Sequence, residues 1–271
     1  MSTTILIKNA RCVSSNGILQ QDVLIRDGKI AQLGQVKESA AEKVIDGTHL
    51  YLLPGALDPQ VHFRDPGLTQ KEDLRTGSMA AAAGGVTSFF DMPNTKPSTI
   101  TIEGMAERKR IAAEKCVVNY NFFIGATNTN LDVLNEVKNV PGIKIFMGSS
   151  TGDLLVSDTR DLEHIFGNGT RLIAVHAEDD EIINAAQKIY KNSTDFNHHQ
   201  FVRPADASLK ATTLAVELSI KYQRRLHILH MTTRDEVRYL EIQKSKGPIS
   251  AEVCPQHFLL SAPHVYQKLG A

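Results

Sequence analysis

The chain has 271 residues, 42% of them hydrophobic and 22% charged, enough to bury a sizeable core in one large domain or in one large domain with a small companion. Its 30 Lys and Arg balance 30 Asp and Glu, so the net charge gives no reason to expect a nucleic-acid or anionic-membrane partner. No basic region with a following apolar run opens the chain, no apolar stretch reaches the ~18 residues of a membrane span, and Cys12, Cys116 and Cys254 form no CxxC pair, which together predict a cytoplasmic chain with reduced thiols.

Residues 1–54 alternate apolar and polar side chains over short runs, at 4–8, 22–26 and 29–33, and read as a small domain of antiparallel strands. Asp27-Gly28 falls between two of these runs and predicts a tight hairpin. After Pro54-Gly55 the period changes. Strands are predicted at 56–62, 86–91, 117–124, 142–147, 171–176, 225–230 and 249–254. Helices are predicted at 71–83, 102–115, 131–138, 178–191, 207–222 and 234–244. Alternation of this kind makes residues 55–271 an α/β domain with a parallel sheet under helices, because parallel strands need crossover connections. A doubly wound sheet and a βα barrel both satisfy the pattern. Seven strands are one short of a closed barrel, which leaves an open sheet, an unrecognised strand or an incomplete barrel.

Four candidate metal ligands, His62, Lys144, His176 and His230, fall at or within predicted strands. In parallel α/β folds the carboxyl ends of strands converge on one face, so groups distant in sequence can share a site. His227 lies an odd number of residues from His230 in the same predicted strand and is expected on the opposite face. His257 follows the last strand and could reach the same face, whereas His49, His164, His198, His199 and His264 read as solvated. Arg64 follows His62 directly. It either pairs with Asp65 or Glu72, or its two-pronged guanidinium recognises a substrate carboxylate. Asn94, in Asp91-Met92-Pro93-Asn94-Thr95, offers an amide after the next strand.

These segments, with Asp58-Pro59-Gln60-Val61-His62-Phe63-Arg64-Asp65-Pro66-Gly67, Gly142-Ile143-Lys144, Val175-His176-Ala177-Glu178, His227-Ile228-Leu229-His230 and Glu252-Val253-Cys254-Pro255-Gln256-His257, give the chain a resemblance to the dihydroorotases of the amidohydrolase superfamily. The resemblance implies a (β/α)8-type TIM barrel with about seven strands present, beside a small β-sandwich to which residues 1–54 contribute. It implies a zinc-dependent hydrolase that opens dihydroorotate to N-carbamoyl-aspartate, or closes it in pyrimidine biosynthesis, with that small molecule and a second copy of the chain as partners.

By position, the resemblance makes His62, His176 and His230 zinc ligands and Lys144 a carboxylated bridge between two ions. A carbamate is an anion with two oxygens, where free lysine is a cation that repels zinc. Asp153 is the alternative bridge, since some relatives use an aspartate there. Arg64 and Asn94 would hold the substrate carboxylate, which favours dihydroorotate over the rings of hydantoinases and allantoinases. Zinc lowers the pKa of its bound water to roughly 7, supplying a nucleophile at neutral pH.

Two departures from the family pattern bear on activity. Gln60 stands where the first of two histidines is usual, so the first metal position is expected to be depleted, with Lys144, His176 and His230 holding one zinc alone. The family's catalytic aspartate comes from an eighth strand, after the seventh and the helix that follow here, so no catalytic residue is assigned and the chain is expected to be a fragment or a degenerate copy. A catalytically silent structural partner, of aspartate transcarbamoylase as the family suggests, is the rival expectation.

Overall fold

The computed structural model describes residues 3–148 and 154–269, and the chain divides into two compact units between Ala56 and Leu57. In the first unit β1 (Thr4–Ser14), β2 (Gly17–Arg26), β3 (Lys29–Gly34), β4 (Lys43–Asp46) and β5 (Tyr51–Leu52) make one sheet in the order β3-β2-β1-β4, with β5 also on β1. Asp27 and Gly28 both take positive φ, 51° and 73°, as a two-residue hairpin turn demands. The antiparallel expectation holds for β1–β2 and β2–β3 and fails for β4 and β5, which run parallel to β1. The segment after β3 recrosses the sheet through a short 3₁₀ turn at Glu38–Ala40, so the chain enters the far edge in β1's own direction. Leu6, Leu24 and Val36 form the small core. The Asp22 carboxylate accepts the Asn9 and Val36 amides at 2.9 and 3.0 Å, which pins β2 to both neighbouring segments.

The second unit is built of strands and helices in alternation. Its strands are β6 (Ala56–Val61), β7 (Val86–Asp91), β8 (Asn119–Phe122), β9 (Ile124–Gly125), β10 (Ile143–Phe146), β11 (Ile173–His176), β12 (Leu226–Ile228) and β13 (Ile249–Ala251). The intervening helices are α1 (Leu74–Ala83), α2 (Ile102–Lys115), α3 (Leu131–Glu136), α4 (Thr159–Gly167), α5 (Asp180–Tyr190), α6 (His199–Val202), α7 (Ala205–Tyr222) and α8 (Arg234–Gln243), with α9 (Pro255–Leu259) and α10 (His264–Leu269) following β13. β7 pairs β8 in parallel, and so does every neighbouring pair from β9 to β13. Strand order thus follows chain order, as in the incomplete barrel expected from the sequence.

The third predicted strand is divided in two. Phe122 pairs with Asp91 on β7, whereas Ile124 pairs with Ile143 on β10, and Phe123 between them joins Met92, Ala174 and Leu229 in a small inner cluster. Alternate residues face the other way. Ile143 and Ile145 of β10, Ile173 and Val175 of β11, and Leu226 and Ile228 of β12 enter the large core beneath the helices. That pleat turns Lys144 and Ala174 to the inner face.

Helices α1, α2, α4, α5 and α8 are started by side-chain caps. Asp73, Thr101, Asp158 and Asp179 each accept a first-turn amide, and Thr233 with Glu236 forms a reciprocal capping box at α8. Buried Glu236 also accepts the Thr212 hydroxyl at 2.8 Å, tying α8 to α7. No helix among the described residues is long and apolar enough to cross a membrane.

Candidate active site

On β6, Asp58 and Gln60 share the inner face that His62 continues one residue past the strand, while Val61 and Phe63 pack on the large core. The Asn94 carbonyl oxygen lies 2.7 Å from His62 Nδ1. A carbonyl only accepts, so the proton sits on Nδ1 and the Nε2 lone pair is left free. Burial lowers the His62 pKa to about 4, helped by the Arg64 charge, against the raising effect of Asn94.

Arg64 takes a left-handed backbone, φ 61°, which bulky residues adopt only where the surroundings impose it. Its pairing with Asp65 or Glu72 is not formed. Buried Asp65 accepts Lys115 Nζ at 2.6 Å and the Leu74 amide at 3.4 Å, and Glu72 accepts the Thr76 hydroxyl and the Asp73 amide. The Arg64 loop is packed on the Asn94 loop: the Lys96 amide donates to the Pro66 carbonyl at 3.1 Å, and a Cβ at Gly67 would run into the Lys96 carbonyl.

His176 ends β11, and its Nδ1 lies 3.0 Å from His230 Nε2. His176 Nε2 lies 2.6 Å from Glu178 Oε2, and Arg203 grips both oxygens of the same carboxylate. Because that carboxylate only accepts, His176 carries its proton on Nε2, and His230 donates to the Nδ1 lone pair. His230 lies beyond β12, with φ 38°, so strand parity no longer governs it. His227, by contrast, is on the inner face, opposite the core-facing Leu226 and Ile228, and bonds Ser250 and Glu252 at 2.9 and 3.0 Å. The expectation that His227 and His230 point apart assumed a strand continuing to His230.

Lys144 is 1% exposed, with its Nζ 4.1 Å from the centre of the Phe146 ring and 3.1 Å from the Ile145 carbonyl. Burial drives its pKa well below 10.5, opposed by Glu252. Burial also lowers His176, against Glu178, and takes His230 to about 3, with His176 and Lys144 adding to the fall. Lys144 on β10 and Ala174 on β11 are paired in register, so Lys144 faces inward one strand away from His176.

Among the described residues no three His, Cys, Asp or Glu side chains converge on a single point, and His62 is engaged with Asn94 rather than with the other two imidazoles. The donor chemistry nevertheless fits one divalent ion. Bonds of about 2.0–2.1 Å put two tetrahedral ligand nitrogens roughly 3.3 Å apart, and His176 Nδ1 and His230 Nε2 stand at 3.0 Å with a proton between them that an ion would replace. Among the described residues Gln60 Oε1 is buried with no hydrogen-bond partner. His257 is used at the start of α9, where its Nδ1 faces the Cys254 amide at 3.4 Å. Asp153 lies outside the described residues. Glu178 and Arg203 did not stand out as site residues in the sequence. The one signal for Glu178 was its place two residues past a strand-ending histidine.

The profile of the amidohydrolase family matches residues 51–250. The dihydroorotase of Methanosarcina acetivorans is 34% identical over 94% of this chain and 57% of that protein. The allantoinase of Bacillus velezensis is 32% identical over 100% of the chain and 62% of its own length. Among solved structures, the L-hydantoinase (dihydropyrimidinase) from Arthrobacter aurescens superposes with a TM-score of 0.90 at 28% identity, covering 98% of this chain and 61% of that one. The chain thus spans about three fifths of the length of the curated relatives it matches.

Proposed function

The chain belongs to the amidohydrolase family, and from that premise we propose that it carries the metal ligands and the carboxylate-binding residues of a zinc-dependent dihydroorotase. The observation that carries the reading is the His176–His230 pair, set at near-ligand spacing, with buried Lys144 on the strand next to that of His176. These three residues hold one zinc, with Lys144 as the carbamate; burial favours the neutral amine that carboxylation requires. His62, with its Nε2 lone pair free, stands ready at the neighbouring position, where Gln60 is the weak member. Zinc, when bound, supplies activated water and polarises the ring carbonyl.

The rest is done by the chain's own side chains. Arg64, free of the carboxylates next to it, and the Asn94 amide group, whose oxygen is already taken by His62, hold the carboxylate of the substrate and so orient its ring. Glu178, clamped by Arg203, fixes the tautomer and direction of His176. The choice of dihydroorotate over hydantoin or allantoin rests on Arg64, because only the first ring carries the carboxylate at that place.

The test is ring opening by the full-length protein, with dihydroorotate, hydantoin and allantoin compared at equal zinc loading. Preference for dihydroorotate is expected, and preference for either other ring moves the assignment to the sister activities. A second reading, a catalytically silent partner protein, is favoured by the unsatisfied Gln60 oxygen. Turnover by a full-length protein that keeps Gln60 eliminates it.

A further inference from the structure

The loops that carry Arg64 and Asn94 meet at one buried ion pair. Arg108, on α2, and Asp91, the last residue of β7, are each 1% exposed and bond Nη2 to Oδ2 at 2.6 Å. The other oxygen of Asp91 accepts the Phe63 amide, between His62 and Arg64, at 3.3 Å. Arg108 Nη1 donates to the Met92 carbonyl at 2.9 Å and to the Thr99 hydroxyl at 3.3 Å, the two ends of the loop that presents Asn94. The guanidinium lies over the Phe122 ring, 4.4 Å from its centre. A buried ion pair is weak evidence for stability, since apolar residues of like volume often hold a fold as well. Here every directed bond of the pair ends on one of the two recognition loops, and a lysine ammonium lacks the planar fork that reaches all these acceptors at once.

We propose that Arg108, acting through Asp91, is a positioning residue for substrate recognition, holding the Arg64 and Asn94 loops in a single register. The inference rests on the reading of those two residues as carboxylate ligands.

The test compares Arg108→Lys and the milder Thr99→Val with the wild type in the full-length, zinc-loaded protein, by steady-state kinetics on dihydroorotate and by hydrogen exchange. Positioning predicts that Arg108→Lys raises KM by about tenfold or more while kcat stays within about twofold, and that Thr99→Val shifts KM the same way by less. Exchange should accelerate together in residues 62–67 and 92–99, with β10 and β11 unchanged. A fall in kcat at constant KM would mean only a smaller folded fraction and would overturn the proposal, as would exchange that rises in one loop alone. If Arg108→Lys does not fold, an unmoved KM in Thr99→Val overturns it equally. Arg64→Lys serves as the control for the underlying reading. If that variant binds dihydroorotate as the wild type does, carboxylate recognition by Arg64 falls, while the exchange result still decides whether Arg108 couples the loops.

Discussion

Replacing Lys144 with Met tests the buried amine directly. Lys144 is buried, and its Nζ lies against the Ile145 carbonyl and the Phe146 ring, neither of which balances a full charge. Burial therefore holds the folded pKa well below 10.5, with Glu252 opposing it only in part. In the unfolded chain the same amine takes a proton as soon as the pH drops below 10.5, so the unfolded state binds more protons across the window down to the folded value. Stability must rise with pH through that window by about 1.4 kcal/mol per unit from this group alone. Methionine has similar volume and no proton to bind, so its variant should lack that slope. The assay is urea unfolding of the metal-free, bicarbonate-free protein at several closely spaced pH values in the alkaline range below 10.5, with the two curves subtracted so that all other titrating groups cancel. A wild type that gains on the variant by about 1.4 kcal/mol per pH unit agrees with the reasoning. Parallel curves would refute it, because the amine would then be charged in the fold. The same variant should lose its zinc.

Three further outcomes follow from the same geometry. Gln60→His should raise the zinc content of the full-length protein from one ion per chain to two, measured by elemental analysis after dialysis, and unchanged content would contradict the view that Gln60 limits the first position. Glu178→Gln should weaken zinc binding by roughly 10–100-fold in chelator competition. Burial resists the Glu178 charge, yet His176 and Arg203 prevail and bring its pKa to about 2, so its stabilisation is complete above 4.5 and is lost as the pH falls towards 2; the variant should lack that acid limb. Gly67→Ala, at φ 91° and against the Lys96 carbonyl, should cost about 1–3 kcal/mol in thermal unfolding, and an unaltered midpoint would show that the two loops are not packed as described.

The strands of the second unit were legible because short apolar runs alternate there with longer segments of helical period, and β7 and α2 match their predicted limits. Helix α4 escaped notice: Leu162, Ile165 and Phe166 give only one buried turn of apolar spacing, and the Asp158 cap that starts it resembles any loop aspartate. The division of the third strand at Phe123 was hidden, since a residue that turns inward to meet Met92 looks the same in sequence as one that continues the pleat. For the candidate site, the strand-end histidines and Lys144 were proposed from their position in the sequence alone. The partners that orient them were not, because Arg203 reaches Glu178 from a separate segment 25 residues on, and Arg108 reaches Asp91 from a helix whose own pattern is merely amphipathic. Strand parity misled at His227 because it holds only while the strand lasts, and β12 stops at Ile228.

Crystals of the full-length, zinc-loaded protein, measured at the zinc absorption edge, bear on the metal assignment without any kinetic assumption. An anomalous peak is expected at about 2.0–2.1 Å from His176 Nδ1 and His230 Nε2, with density for a carboxylate on Lys144 Nζ reaching the same peak. A zinc bound elsewhere, or the two imidazoles still bonded to each other in zinc-saturated crystals, would contradict it.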